Sequence, residues 1–305
     1  MKKKLILIVL LIVSILSIGS IGLYILNQKD MKQALVFEET VIVKQGSVGK
    51  KPLATLDTFI NKYLDDKKIN KNKIAIYVYN FETNESYCLN ENKEFVAAST
   101  YKLPLAMYYY EMISENKISL NDLIASAARD YEQGGATYNL PLGGQLSVAT
   151  LLHRSIKDSD NTASKMLYRN IGGWVDYKKK IIKYTTHDVT ESYYTRSNMQ
   201  TVQYLSDCLN YIYDHQDIYQ TLIEDMRVAQ PKNYLNSKVN EIAVQKYGYY
   251  DSVRNSAGIV FDGSPYSIVV LSNMGDYGES VMGEINRICH EYFNAERKWD
   301  ISITW

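Results

Sequence analysis

The order of hydrophobic periodicities along residues 52–305 constrains the fold most strongly. Pro52 opens a helix at its first turn, with Leu53, Leu56, Phe59, Ile60 and Leu64 at helical spacing. Residues 74–79 are β-branched and aromatic, 80–84 read as a turn and 85–89 as a return strand, which makes a β-hairpin. An apolar helical stretch follows over 102–113. Gly134, Gly135, Gly143 and Gly144 bracket a loop before a helix over 147–156, and helical patterns dominate 162–224. Strand character returns at 242–250, 258–261 and 267–271, ahead of a closing helix over 277–293. This order predicts an α+β domain over 52–305: an antiparallel sheet flanked by helices, with an all-α lobe inserted at about 106–238. A cleft between sheet and lobe is the expected place for a site.

Ahead of the domain, Lys2, Lys3 and Lys4 precede an uncharged apolar run over 5–26. At ~1.5 Å per helical residue such a run spans a ~30 Å hydrocarbon core. The lysines hold the first end in the cytoplasm by the positive-inside tendency. The reading is an uncleaved, single-pass signal anchor (1–26) with the rest of the chain extracytoplasmic. The small residues from Ser17 to Gly22 leave a cleaved signal peptide as the alternative. Residues 27–51 then form a polar stalk with one apolar patch at Val41, Ile42 and Val43.

Charge narrows the partners. The chain carries 34 Lys and Arg against 34 Asp and Glu, so no net field draws it to nucleic acid. Cys88, Cys208 and Cys289 are widely spaced and read as small buried apolar residues. With His153, His187, His215 and His290 they form no ligand spacing, so neither a metal site nor a cofactor is expected.

Three short motifs carry chemistry. Ser99-Thr100-Tyr101-Lys102 places a hydroxyl and an amine three residues apart, on one face of a helix. A buried lysine has a lowered pKa and serves as the base a serine nucleophile needs. Ser47 with Lys50 and Ser114 with Lys117 share the spacing, but the first sits in the stalk and the second at a helix end. Ser159-Asp160-Asn161 lies between two predicted helices, where a short loop offers Ser159 for proton transfer and Asn161 to a substrate amide, while Asp160 holds the loop. Capping alone also accounts for such a tripeptide. Lys246-Tyr247-Gly248 lies in a strand, with Lys246 suited to a substrate carboxylate or a nearby hydroxyl, and Gly248 small enough to admit a substrate backbone.

Taken in order, the three motifs resemble those of the class A β-lactamase and penicillin-binding serine enzyme superfamily, over roughly residues 53–293. The resemblance implies that Ser99 is the acylated nucleophile and Lys102 its proton acceptor. Ser159 would shuttle the proton to the leaving nitrogen, supported by Lys246, and Asn161 would bind the substrate amide. The oxyanion hole would use the backbone N–H groups of Ser99 and Tyr249.

Two positions depart from the pattern. Tyr247 stands where the family carries Thr or Ser, whose hydroxyl helps hold the substrate carboxylate. The glutamate that activates the deacylating water, in Glu-x-x-x-Asn spacing, has no counterpart between Asn161 and Lys246; Glu191 is a weak candidate, with Thr195 four residues on. The expected function is an extracytoplasmic serine hydrolase acylated on Ser99 by β-lactams or a related amide. The alternatives are a penicillin-binding D,D-peptidase acting on peptidoglycan stem peptides, and a cell-surface sensor that keeps the cleft without turnover.

Overall fold

The computed structural model describes residues 55–189, 193, 197–240 and 242–295. The predicted anchor and stalk, and Glu191 with Thr195, lie outside the described residues. No described helix is long and apolar enough to cross a membrane.

Helix α1 (Leu56–Asp66) leads into strand β1 (Ile74–Asn80), which hairpins into β2 (Ser86–Leu89). The helix stops where Lys68 adopts φ +52° and the Ile69 N–H returns to the Leu64 carbonyl at 2.8 Å, a left-handed C-terminal cap. A short strand β3 (Phe95–Val96) precedes α2 (Lys102–Ser114). The lobe then runs through β4 (Leu123–Ala125), β5 (Gln145–Ser147), α3 (Val148–Lys157), α4 (Asn161–Asn170) and α5 (Trp174–Ile181). Strand β6 (Met199–Gln200), α6 (Val202–Asp214) and α7 (Gln216–Arg227) follow. The chain closes with β7 (Ala243–Tyr250), β8 (Val253–Val260), β9 (Tyr266–Asn273) and α8 (Asp276–Asn294).

The main sheet has the antiparallel order β2-β1-β9-β8-β7. The period-two alternation of its strands separates two cores. Ile74, Ile76 and Val78 of β1 and Tyr266, Ile268 and Val270 of β9 face a core completed by Leu56, Ile60 and Leu64 of α1 and Val281, Met282 and Ile285 of α8. Ala75, Val269 and Leu271 face the other way, into a core shared with the helical lobe. Each fully buried Leu, Ile or Val contributes ~1.5–3 kcal/mol. The α+β architecture and antiparallel sheet therefore stand as expected.

Tyrosine builds much of this interior. Tyr109, Tyr177 and Tyr266 are completely buried, and Tyr204 nearly so. Each keeps its hydroxyl satisfied: Tyr109 donates to the Leu167 carbonyl (2.8 Å), Tyr177 to Tyr101 (2.6 Å), Tyr204 to Ile181 (3.0 Å), and Tyr266 to Asn286 Oδ1 (2.8 Å).

The structure corrects two expectations. The strand expected at 258–261 is Val253–Val260, with every residue buried. Its first half, Arg254, Asn255 and Ser256, is polar, and tertiary partners rather than hydrophobicity bury it. Cys88 is exposed, unlike Cys208 and Cys289, because β2 alternates and Tyr87 takes the inward position.

Candidate active site

Ser99 lies in a single turn of 3-10 helix (Ala98–Tyr101) that runs directly into α2. The Lys102 N–H donates to the Ser99 carbonyl, so the pair stands one tight turn apart. The turn opens on Ala98 at φ +49°, a left-handed conformation that costs a residue with a Cβ ~1–2 kcal/mol. Several bonds hold it there. Asn255 Nδ2, from β8, donates to the Val96 and Ala97 carbonyls at 2.8 and 3.0 Å. The Thr100 hydroxyl donates to the Ala97 carbonyl at 2.7 Å. Asn198 Nδ2 donates to the Ala98 carbonyl at 2.9 Å, and the Ala97 N–H donates to the Asn198 carbonyl at 2.9 Å.

Lys102 is completely buried. Its Nζ donates to the Ser159 carbonyl at 2.5 Å and to Asn161 Oδ1 at 2.8 Å, and lies 3.3 Å from Ser159 Oγ. The amine is thus anchored on the Ser-Asp-Asn motif rather than on the Ser99 hydroxyl. Burial brings its pKa down to about 7, against the opposing pull of the Asp160 and Glu132 carboxylates. A substantial fraction of the amine is neutral at neutral pH, with a lone pair free to take a proton.

The second motif is a helix stop joined to a helix start. Helix α3 ends at Lys157, and Ser159 reverses the chain at φ +56°. Asp160 then caps α4, its Oδ1 accepting from the Ala163 N–H at 2.9 Å. Its Oδ2 accepts from the Thr137 N–H at 2.8 Å, which ties the Gly-rich loop to the motif. In the same loop the Gln133 carbonyl accepts from Asn161 Nδ2 at 2.8 Å. Capping and site geometry are therefore one arrangement here: the reversal that starts α4 is what presents Ser159.

Lys246 arrives from β7 and is also completely buried. Its Nζ donates to Ser159 Oγ at 3.0 Å and to the Tyr247 carbonyl at 2.9 Å. Burial, and then repulsion from Lys102, holds its pKa well below the usual lysine range. One hydroxyl, Ser159, is thus shared by two amines. Gly248 admits the protein's own backbone on one side: an added Cβ would sit 3.0 Å from both the Ala97 carbonyl oxygen and the Ser99 nitrogen. The edge of β7 and the turn carrying Ser99 therefore touch at Gly248. The Tyr249 side chain points outward, 61% exposed, with the Arg254 guanidinium stacked 4.0 Å from its ring centre.

All the motif residues within the described region thus meet. Sequence reasoning missed Asn255 and Asn198, which shape the turn carrying Ser99; Asn255 lies in a polar run, Arg254-Asn255-Ser256, that gives no local signal of its role. Tyr194, not a glutamate, stands four residues before Asn198. Among the described residues no three His, Cys, Asp or Glu side chains group as a metal ion would require.

Comparison with known proteins identifies the family and the fold. Residues 54–293 match the Beta-lactamase2 model of the beta-lactamase enzyme family. The beta-lactamase ROB-1 of Haemophilus influenzae is 26% identical over 139 residues, 46% of this chain and 45% of the relative. The aligned stretch therefore spans less than half of that enzyme. A Leu-to-Glu variant of PBP-A, solved as an acyl-enzyme complex with penicillin G, superposes with a TM-score of 0.69 at 18% identity, covering 80% of this chain and 97% of that one. An ancestral class A beta-lactamase superposes at 0.66 with 18% identity, covering 77% and 100%. These two likenesses establish the shared fold. With the family match spanning nearly the whole described domain, the chain belongs to the beta-lactamase enzyme family.

Proposed function

We propose that this protein is an extracytoplasmic serine hydrolase of class A β-lactamase type, acylated on Ser99 by β-lactams or a related cyclic or peptide amide. The observation that carries the reading is the pair of buried amines meeting at the Ser159 hydroxyl, one of them a single turn from Ser99. In this mechanism the Ser99 hydroxyl gives its proton to neutral Lys102 as its oxygen attacks the carbonyl carbon. The Ser99 and Tyr249 N–H groups take the charge developing on the carbonyl oxygen, an arrangement worth ~3–4 kcal/mol per donor. As the carbon–nitrogen bond breaks, the leaving nitrogen takes the Ser159 proton. Lys102, now carrying the proton from Ser99, restores it, while Lys246 orients the shared hydroxyl. Asn161 binds the substrate amide. Residues 5–26 anchor the enzyme in the cytoplasmic membrane with its domain outside.

Release of the acyl group is slow in this reading, since no Glu-x-x-x-Asn pair supplies a base for water. That observation favours a second reading, a penicillin-binding D,D-peptidase. A single experiment tests both. The full chain is incubated with a fluorescent penicillin and with a chromogenic cephalosporin, alongside Ser99→Ala. Turnover that disappears in the variant supports a β-lactamase, and a lasting label on Ser99 without turnover supports the peptidase. Neither label nor turnover, with D-Ala-D-Ala peptides also untouched, would refute hydrolysis of this substrate class and leave the sensor reading.

A further inference from the structure

Lys246 is the residue expected to meet a substrate carboxylate, yet the surrounding structure already uses its ammonium. An ammonium has three N–H donors. One is directed at Ser159 Oγ (3.0 Å) and one at the Tyr247 carbonyl (2.9 Å). Nζ also lies over the aromatic ring of Tyr247, 4.1 Å from its centre. That is the geometry of a cation–π contact, and it puts six carbons where a bound anion would need to sit.

The ring is held in place from both ends. Tyr234 packs against it with centroids 5.0 Å apart and planes 31° apart. Its hydroxyl faces the side chains of Gln230 and Ser159. The Asp158 carboxylate lies near enough to add, after burial, to the upward shift of the Tyr247 pKa. Negative charge is therefore already present beside the place where a carboxylate would dock. Burial and the neighbouring Lys102 amine hold the Lys246 pKa well below the usual lysine range, which weakens its pull on an anion further. A threonine at this position would lack the ring and leave the third donor open.

We propose that Tyr247 closes the carboxylate clamp of this site, so that acylation gains nothing from a carboxylate next to the bond that is broken and favours amides or esters without one. The inference rests on acylation of Ser99 as set out above and names the substrate class for it. Tyr247 acts as a specificity-determining residue: it selects by occupying Lys246 and filling the space over it.

The test compares acylation of the full chain by benzylpenicillin and by its uncharged methyl ester, followed by intact-protein mass spectrometry. A neutral fluorophosphonate, with Ser99→Ala as control, reports separately whether Ser99 is a nucleophile at all. The expected result is that the ester acylates at least as fast as the acid. In Tyr247→Thr the acid-to-ester rate ratio rises by about tenfold or more, the worth of one recovered charge-assisted hydrogen bond. In Tyr247→Phe, which keeps the ring, the ratio stays as in the native chain. A native chain that prefers the acid by about tenfold, the same criterion, overturns the inference. So does a Tyr247→Thr ratio that does not move, or silence toward both lactams in a chain whose Ser99 the fluorophosphonate labels. If the fluorophosphonate fails as well, the nucleophile assignment falls, and this inference with it.

Discussion

The depressed pKa of Lys102 makes a sharp prediction about how acylation responds to pH. An ordinary lysine titrates at 10.5, whereas burial brings Lys102 to about 7. If neutral Lys102 accepts the Ser99 proton, the acylation rate follows the neutral fraction. That fraction is about one-eleventh a unit below the midpoint and about ten-elevenths a unit above it, so the rate rises about tenfold between those points and then levels off. With an unshifted lysine it would climb about a hundredfold over the same two units and keep climbing. The assay is the rate of fluorescent-penicillin labelling measured from acid to alkaline pH. The Glu132→Gln variant sharpens it: the Glu132 carboxylate holds the Lys102 pKa up, so its removal moves the midpoint down. A log-linear rise with no plateau at alkaline pH would refute the assignment of Lys102 as the neutral base. The same shift carries a stability cost with a definite sign. As pH falls from 10.5 to about 7 an unfolded lysine is protonated while the native one is not, so the native state loses stability across that window. The loss amounts to roughly 5 kcal/mol for the shift in full.

Three further outcomes follow from the contacts around Ser99. Gly248→Ala sets a methyl group 3.0 Å from the Ser99 nitrogen and pushes β7 away from the turn; acylation should fall by ~10²-fold or more, as on losing an oxyanion donor, with the thermal midpoint little changed. Asn255→Ala leaves the Val96 carbonyl and the Ser272 N–H without their side-chain partner and removes one of the two on the Ala97 carbonyl. Chemical unfolding should show a loss of ~2–3 kcal/mol, and an unaltered stability would sink the account of the nucleophile turn. Tyr194→Glu creates the missing Glu-x-x-x-Asn spacing with Asn198. Time-resolved mass spectra should show the penicilloyl adduct disappearing about tenfold faster or more, and an equally durable adduct would count against deacylation being limited by the missing base.

Much of the frame in which the site sits was legible in the sequence. β-Branched and aromatic residues at 74–79, strand character at 267–271 and helical spacing at 53–64 announce the elements that the structure forms there, while the division into two cores appears only in the structure. The three motifs were legible for a different reason: their order matches a chemistry, although two of them read singly as capping. What stayed hidden was what tertiary partners decide. The first half of β8 is polar and looks like a loop, yet Arg254, Asn255 and Ser256 are buried by pairing with β7 and β9. Asn198 reaches the nucleophile turn across about a hundred residues of chain through one amide, which no local pattern records. Lys102 was placed beside the Ser99 hydroxyl from helical spacing alone, but its three acceptors belong to Ser159 and Asn161.

The way the sheet closes bears on when the proposed site comes into being. Strand β1, among the first elements of the domain, pairs along its length with β9, one of the last. The ribosome releases the N-terminal end first, so the β1–β2 hairpin emerges with one edge bare, and the lobe must form before that edge is covered. Ordered pairing over such a separation is slow. The motif residues are delivered on the same schedule: Ser99 and Lys102 early, Ser159 midway, and Lys246 only with β7. A chain interrupted anywhere before β7 holds a serine and one amine with no second amine to complete the relay. On the function proposed above, reactivity matures with the last quarter of synthesis. With the proposed outward placement, the chain would stay chemically silent until nearly all of it had crossed the membrane.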